Sequence, residues 1–339
     1  MYTTMKAMQV RAAHGELTLV ELPIPEPREN EVLLKVEACG VCHGDAVVKE
    51  GQFPHLHYPR VPGHEVVGSI AQLGERVRGW KLGQRVGVGW HGGHCFSCKA
   101  CRHGKFGACE SALVTGISSD GGYAEYMVAR AEALVEIPER LRSIAAAPIL
   151  CAGSTTLAAL ESCGAAGGDL VAVHGLGGLG HLAVQYAVKL GFRTVAMSRG
   201  HNKEEIAHAL GVHRFIDTSN TDAAAELRGM GGARIILCTA PHSAGIAALV
   251  DGLAFQGQLV VVTFVEEPMR LPLSALMRGG RSIVGWVGGD MDHALKFSVH
   301  AGIAPIVETY PLAQAATAYE RMMSSQVKLR AVLTMGAQT

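Results

Sequence analysis

The sequence predicts an α/β protein of two domains, one mainly β and one built on a doubly wound parallel sheet. Its 339 residues are too many for one small core and fit two domains of about 100–200 residues each. Up to about Pro148, β-rich runs such as 32–36 and 61–70 are separated by prolines and turns, with almost no helical periodicity. Beyond Pro148, short apolar runs alternate with amphipathic stretches, which is typical of βαβ units.

The elements of the second half predict the parallel sheet in detail. Six short strands separated mainly by helices follow from the sequence of apolar and amphipathic runs. These runs are 170–174, 181–190, 194–197, 204–210, 234–238, 245–255, 259–264 and 282–286.

The tail after about Asp290 is too short to be a domain. It predicts a helix, a proline-marked stretch, a second helix at 314–323 and a final strand at 330–334. We therefore expect the tail to join the first half. The predicted domains are 1–148 plus 290–339, and 149–289.

Charge and hydropathy exclude some classes of partner. Thirty Lys and Arg balance thirty Asp and Glu, so no global field attracts nucleic acid or an anionic membrane. No uninterrupted apolar run approaches the ~18–20 residues of a membrane span. The start, MYTTMKAMQV, has no secretory signal pattern, which favours a cytoplasmic, reducing location. The nine cysteines are then not expected to form disulfides.

Four cysteines are concentrated in the run HCFSCKACRHGKFGAC. Four thiolates at about 2.3 Å complete the coordination of a structural zinc ion. An iron–sulfur cluster is the other metal interpretation of such spacing, and free or disulfide-paired thiols are the interpretation without a metal. The glycine and basic residues before the fourth thiol favour zinc. The predicted ligands are Cys95, Cys98, Cys101 and Cys109.

A second metal site is predicted from three separate stretches. Cys42 lies in CGVCHGD, His64 in PGHE, and Cys151 in LCAGSTT. Two thiolates and an imidazole leave a fourth position open, which is typical of catalytic zinc. Asp45 is either the partner of the second ring nitrogen of His64 or a turn carboxylate. Glu65 is either an exchangeable ligand or a charge that balances the thiolates.

A glycine loop follows the first predicted strand of the second half. The pattern G-x-G-x-x-G stands between a strand and a helix, where glycines let the backbone approach a pyrophosphate at the helix N-terminus. The alternative is a glycine-rich turn without a ligand. The predicted loop is Gly175, Leu176, Gly177, Gly178, Leu179 and Gly180.

The next strand ends in AMSRGHNK, without the acid that an NAD site would offer to the ribose 2′-hydroxyl. Ser198, Arg199 and Lys203 would instead hold a 2′-phosphate with one hydroxyl and two cations. The sequence therefore favours NADP(H) over NAD(H), although a solvated basic pair would also suit NAD(H).

With these motifs in the same order, the chain resembles the zinc-dependent, medium-chain alcohol dehydrogenase family over essentially its full length. The resemblance implies a GroES-like catalytic domain, built from both chain ends, with an inserted Rossmann domain. It implies a catalytic zinc on Cys42, His64 and Cys151, with Glu65 nearby, and a structural zinc on the four-cysteine run.

The resemblance also implies roles for further residues. His43 would face the cofactor pyrophosphate, and Thr155 would approach the nicotinamide. Phe53 and Trp90 would form aromatic walls that favour small alcohols.

Two positions depart from the family pattern. The family usually carries Ser or Thr two residues after the first zinc cysteine and a histidine slightly later, whereas this chain has Gly44 and Val47. Because neither can carry a proton, we expect the proton to pass through water, the cofactor ribose, His43 or another histidine. We also expect a roomier pocket at Gly44.

The function that these features predict is reversible oxidation of an alcohol to an aldehyde or ketone, with two zinc ions per chain and NADP(H) or NAD(H). One alternative is a zinc-independent quinone or enoyl reductase on the same scaffold. Another is a non-catalytic NADP(H)-binding redox sensor, for which the leftover thiols Cys39, Cys163 and Cys238 are candidates. Apolar runs at 259–265 and 282–287 are compatible with strand pairing in a homodimer or homotetramer, or with an interior strand.

Overall fold

The structure, a computed structural model, describes residues 3–53 and 56–336. It divides the chain into two compact units. The first unit comprises Met1–Cys151, Met291–Val299 and Pro305–Thr339, and the second comprises Ala152–Asp290 and His300–Ala304.

The described residues form strands and helices that we number in chain order. The strands are β1 Thr4–Gln9, β2 Thr18–Pro23, β3 Glu31–Val41, β4 Val66–Leu73, β5 Arg85–Val88, β6 His91–Gly93, β7 Leu113–Val114, β8 Tyr126–Arg130, β9 Leu134–Glu136, β10 Leu170–His174, β11 Arg193–Ser198, β12 Arg214–Asp217, β13 Ala233–Cys238, β14 Leu253–Val261, β15 Ser282–Gly285, β16 Val307–Pro311 and β17 Arg330–Thr334. The helices are α1 Ala46–Lys49, α2 Lys99–Arg102, α3 Ser143–Pro148, α4 Ser154–Ser162, α5 Gly180–Lys189, α6 Glu204–Ala209, α7 Ala223–Gly229, α8 Ser243–Ala248, α9 Leu273–Met277, α10 Met291–Ala301 and α11 Ala315–Met323.

The first unit is built on a mainly antiparallel sheet in the order β16-β17-β3-β4-β5-β9, with β8 also paired to β3. Strand β3 is almost wholly buried, as a central strand with both faces covered should be. The C-terminal strand β17 lies directly beside it, with Ala331 opposite Val41 and Thr334 opposite Ala38. Strand β17 is thus part of the sheet whose strand β3 leads directly into Cys42.

The second unit holds a parallel sheet in the order β12-β11-β10-β13-β14-β15. The order reverses between β10 and β13, and ligands of such sheets bind at the carboxyl ends of the strands at this point. The predicted α/β class is confirmed. In chain order, the third strand of the parallel sheet is β12. It has only four residues and an exposed Arg214, so no apolar run in the sequence predicts it. The run 245–255 contains most of α8, a 3-10 turn and only the start of β14.

One helical stretch, Ser143–Ser162, is long and apolar enough to cross a membrane, with a mean hydropathy of 1.6. Buried positions make up 72% of it, as in a core helix. It consists of α3, a π-helical turn at Ile149–Gly153, and α4. Such π-helical turns are rare in proteins, but those that occur are often found at functional sites. This one contains Cys151.

Candidate active site and cofactor loop

The four candidate ligands of the second metal site converge within the first unit. One ligand atom from each of Cys42, His64, Glu65 and Cys151 lies within 4.8 Å of the others. The sulfur atoms of Cys42 and Cys151 are 4.0 Å apart. Tetrahedral zinc with bonds of about 2.3 Å would hold two thiolates roughly 3.8 Å apart, so the arrangement fits this ion.

Local backbone structure places Cys42 at the end of β3. Cys42 caps a 3-10 turn, His43–Asp45. The N–H of Gly44 points at its sulfur at 3.4 Å, and its own N–H donates to Oδ2 of Asp45 at 2.9 Å. The short turn after the strand therefore fixes the thiol and the carboxylate together.

Asp45 orients the imidazole of His64. Its Oδ1 lies 3.0 Å from Nδ1 of His64, and its Oδ2 also accepts the hydroxyl of Tyr123 at 2.9 Å. Both Asp45 and His64 are buried. The proton is thereby held on Nδ1, and Nε2 of His64 is left buried with no hydrogen-bond partner among the described residues.

Glu65 is fully buried and paired with Arg330 of β17. The Arg330 guanidinium donates to Oε2, whereas Oε1 is buried and lacks a partner in the described part of the chain. A side chain at Gly40 would collide with Oε2, so glycine there makes room for the carboxylate. Burial raises the pKa of Glu65 to about 7, although Arg330 opposes the shift.

The buried thiols and imidazole shift one another's pKa values. A hydrogen bond with Cys151 and the adjacent His64 hold the pKa of Cys42 well below its usual value despite burial. Burial opposes protonation of His64, but Asp45 and Cys42 raise its pKa well above normal. Cys42 is therefore the thiol of this pair that is held toward the thiolate, the form that binds a metal ion.

The predicted aromatic walls lie together beside the site. Phe53, Trp90 and Val47 pack on one small apolar cluster. The ring of Trp90 meets that of His64 edge-on, with centroids 4.8 Å apart. A Cβ at Gly44 would lie 2.9 Å from Cε1 of His64 and 3.1 Å from Cζ3 of Trp90. The expectation of a roomier pocket at Gly44 is wrong, because these two rings fill that space.

The four cysteines of the first cluster, Cys95 to Cys109, form a compact cage that we call the cysteine lobe. Their sulfur atoms lie within 4.8 Å of one another, with Cys95 at 4.0 Å from Cys101 and 3.6 Å from Cys109. Backbone N–H groups of Cys98 and Ser111 point at sulfurs at 3.3 Å. The sulfurs thus surround one point, which fits one ion better than a cluster of several irons.

All nine cysteines are free of disulfides, so the disulfide interpretation of the cysteine lobe is wrong. The Ser97 hydroxyl and neighbouring N–H groups lower the pKa of Cys95 to about 5. Cys39, Cys163 and Cys238 are buried, and burial raises the pKa of each thiol. Buried thiols with raised pKa values are poor redox switches.

The three motif glycines of the cofactor loop have different roles. Gly175 has a φ of +97°, a conformation that favours glycine. A side chain at Gly180 would collide with the carbonyl of Gly175, so this glycine lets helix α5 approach the strand. A Cβ at Gly177 would meet nothing within 4 Å. The fold itself does not require glycine at Gly177, whereas a ligand lying on the backbone does.

The turn after β11 carries the predicted cofactor-selecting residues. Ser198 ends the strand, and Arg199 is exposed, with no hydrogen bond or ion pair among the described residues. Lys203 reaches across to the glycine loop, where its Nζ donates to the carbonyl of Leu176 at 2.9 Å. Burial and the adjacent Arg199 lower the pKa of Lys203. A buried acid, Asp217, lies on the neighbouring strand opposite Ser198.

Two further predicted residues are neighbours of candidate ligands in the chain. His43 is exposed at the start of the 3-10 turn. Thr155 is buried near the start of α4, in the second unit. Arg330 and Asp217 are residues that sequence reasoning missed. The only sequence signal of Arg330 is a cation at the head of the apolar run RAVLT.

Comparison with known proteins matches both parts of the chain. The model of the alcohol dehydrogenase GroES-like domain matches residues 28–139, and that of zinc-binding dehydrogenases matches residues 178–299. Alcohol dehydrogenase notN of Aspergillus sp. (strain MF297-2) is 44% identical, over 94% of each chain. Alcohol dehydrogenase patD of Penicillium expansum is 43% identical, over 98% of each chain.

Solved structures with bound cofactors are also similar. The CAD from Helicobacter pylori, complexed with NADP(H), is 25% identical with a TM-score of 0.88, over 98% of this chain and 99% of that chain. The acetophenone reductase from Geotrichum candidum, in complex with NAD, is 25% identical with a TM-score of 0.86, over 98% of each chain.

Proposed function

The chain belongs to the zinc-dependent, medium-chain alcohol dehydrogenase family, and from this premise we propose that Cys42, His64 and Cys151 hold its catalytic zinc. The activity is reversible hydride transfer between an alcohol and a nicotinamide cofactor. Glu65 is proposed as the residue that enters or leaves the metal's coordination shell. The proposal rests above all on Nε2 of His64, a buried nitrogen with no partner among the described residues, on a ring whose ligand atom lies within 4.8 Å of those of Cys42 and Cys151.

The protein residues around this point prepare it for an alcohol oxygen. Zinc would supply a Lewis acid that lowers the pKa of a hydroxyl, and the cofactor would accept or return the hydride. Asp45 keeps the ring proton of His64 on Nδ1 and so leaves Nε2 as a donor of electrons. Trp90 and Phe53 exclude water from one side and narrow the substrate space, which favours small primary or secondary alcohols.

We propose NADP(H) as the preferred cofactor. Arg199 is exposed and unpaired among the described residues, so its guanidinium is available to a 2′-phosphate. Ser198 adds a hydroxyl and Lys203 a second cation. Similar structures hold either NADP(H) or NAD, so the preference rests on these three residues.

The cysteine lobe is proposed to hold a second, structural zinc. Its four thiols leave no position for substrate. Six thiolate ligands in two sites suit a reducing compartment, and a cytoplasmic location is part of this proposal.

We further propose a homodimer or homotetramer. Strand β15 is an edge of the parallel sheet, and edge strands are usually covered or blocked. Five large apolar side chains of residues 255–287, the stretch that runs from β14 to just after β15, are exposed. They are Phe255, Phe264, Leu273, Met277 and Val287.

One experiment tests metal, chemistry and cofactor together. The purified chain is assayed for zinc and for oxidation of primary and secondary alcohols with NADP⁺ and NAD⁺. We expect two zinc ions per chain, turnover of small alcohols and a higher kcat/KM with NADP⁺. One zinc per chain with full activity would contradict the catalytic zinc proposal and favour a zinc-independent reductase. Zinc-loaded protein inactive on every alcohol would favour the redox-sensor alternative.

A further inference from the structure

The turn that follows β11 is built on a carboxylate from the next strand. Ser198 and Asp217 lie opposite each other in the parallel pair β11 and β12. Asp217 is only 7% exposed although it stands at the end of its strand. A buried carboxylate requires hydrogen-bond donors. The donors that contact Asp217 therefore indicate which part of the structure it stabilises.

Both oxygens of Asp217 face the cofactor turn. Oδ1 accepts the N–H of Gly200 at 2.6 Å and that of Ser219 at 2.9 Å. Oδ2 accepts the amide of Asn220 at 3.3 Å and lies 3.6 Å from Nε2 of His201. The donors of Ser219 and Gly200 hold the pKa of Asp217 below its usual value. The carboxylate is therefore a fixed anion that ties residues 198–201 to the strand beneath them.

The same contacts decide how Asp217 relates to a cofactor ribose. An acid that selects NAD accepts the ribose 2′-hydroxyl, but Oδ1 of Asp217 is already shared by two backbone donors. Arg199 precedes Gly200 directly and is exposed without a partner among the described residues. The hydrogen bond to Asp217 fixes the backbone of Gly200, whose φ is +68°. It therefore also fixes the backbone position from which the Arg199 side chain extends.

We propose that Asp217 is a positioning residue for cofactor choice, which holds the turn so that Ser198 and Arg199 meet the 2′-phosphate of NADP(H). It acts through the N–H of Gly200 and touches no part of the cofactor. This inference rests on the proposed preference for NADP(H), and it adds that the preference depends on a residue of another strand.

The test compares Asp217→Ala with Asp217→Asn in the zinc-loaded enzyme. Alanine removes the acceptor of two backbone donors, whereas asparagine keeps a carbonyl oxygen for them. For Asp217→Ala we expect KM for NADP⁺ to rise about tenfold, the size of one lost charge-assisted hydrogen bond. kcat at saturating NADP⁺ and kcat/KM for NAD⁺ should stay within about twofold. Asp217→Asn should restore most of the NADP⁺ affinity.

Asp222→Ala is the matched control. Asp222 also accepts a backbone N–H, that of Ala225 at 3.0 Å, and caps helix α7 five residues further on. Its loss should lower Tm by a few degrees without changing the ratio of kcat/KM for the two cofactors. A similar ratio change in both variants would show a general structural effect and overturn the inference.

The outcomes separate this inference from the proposed function. A wild-type enzyme without preference for NADP⁺ contradicts that preference itself. A wild-type preference that survives in Asp217→Ala overturns the role of Asp217 alone. Selective loss of NAD⁺ activity would make Asp217 a ribose-binding acid and overturn both. If Asp217→Ala does not fold, Asp217→Glu keeps the charge but displaces the carboxylate that accepts the Gly200 N–H at 2.6 Å. An unchanged KM for NADP⁺ in that variant overturns the inference as well.

Discussion

The cysteine lobe and the site around Cys42 use the same kind of ligand in opposite ways. The lobe takes four thiols from one short stretch, two of them half-buried, and its own backbone donates N–H groups to the sulfurs. The site around Cys42 collects ligands from three distant parts of the chain. It buries all of them except Cys151, which is half-buried, and leaves Nε2 of His64 and Oε1 of Glu65 without partners in the described residues.

On the proposed assignment, the lobe would hold a metal and the site around Cys42 would use one. A closed set of four thiolates satisfies zinc completely and stabilises the segment that supplies the ligands. A mixed set with Glu65 as an exchangeable ligand would keep a position for substrate. Its buried charges are expensive, and Arg330 and Asp45 offset part of that cost by pairing with Glu65 and His64.

The strongest test of this comparison removes one ligand from each region. Cys42→Ser should lower kcat/KM by at least about 1,000-fold, because several kcal/mol of charge stabilisation are lost with the zinc. Cys98→Ser should keep most of the activity at low temperature but lower Tm by on the order of 10 °C, since loss of the structural ion costs a few kcal/mol. Each variant should retain one zinc per chain.

Cys163→Ser provides the control for both variants. Its buried thiol donates to the carbonyl of Ala159 at 3.0 Å, a bond that a serine hydroxyl can replace, so activity and Tm should change little. The comparison would fail if Cys42→Ser lowered only Tm, or if Cys98→Ser removed turnover from folded protein.

The two regions also differ in how far the sequence reveals them. The cysteine lobe is visible in one run because its ligands are neighbours in the chain. The glycine loop is similarly local. The pair of Glu65 and Arg330 is separated by 265 residues, and only the position of β17 beside β3 brings them together.

Contacts that depend on packing were equally hidden. Gly44 reads as a missing hydroxyl in the sequence, whereas the structure shows that two rings occupy the space beside it. Asp217 lies on a strand of four residues that no apolar run marks, so its link to the turn after β11 depends on strand register. Sequence patterns predict elements and local motifs, but side chains that meet through register or packing need the fold.

A smaller effect is expected from Asp45→Asn, which tests how the open site orients its imidazole. Asparagine keeps the shape but loses the charge that holds the proton on Nδ1 of His64. Loss of such a partner typically costs 10–100-fold in metal affinity or activity. We therefore expect faster loss of one zinc to a chelator and a kcat/KM lowered by about that factor.

Asp169→Asn is its control, because Asp169 is half-buried, lies in the second unit and accepts the N–H of Ala166 at 2.8 Å. It should leave zinc retention unchanged. Equal chelator sensitivity of Asp45→Asn and the wild type would show that Asp45 does not support the metal ligand.

The smallest effect is expected from substitutions of one glycine in each region, Gly44 and Gly107. In Gly44→Ser the new Cβ must displace His64 or Trp90, since it would lie about 3 Å from both rings. We expect kcat to fall about 3–10-fold, equivalent to about 1 kcal/mol and at the low end of the strain that overpacking causes, and tryptophan fluorescence to change. Gly107→Ser is the matched variant in the cysteine lobe, where a Cβ meets nothing within 4 Å, and it should behave as wild type. A rise in kcat for Gly44→Ser would mean instead that the added hydroxyl relays the alcohol proton. It would also mean that the rings of Trp90 and His64 can move to make room for the serine side chain.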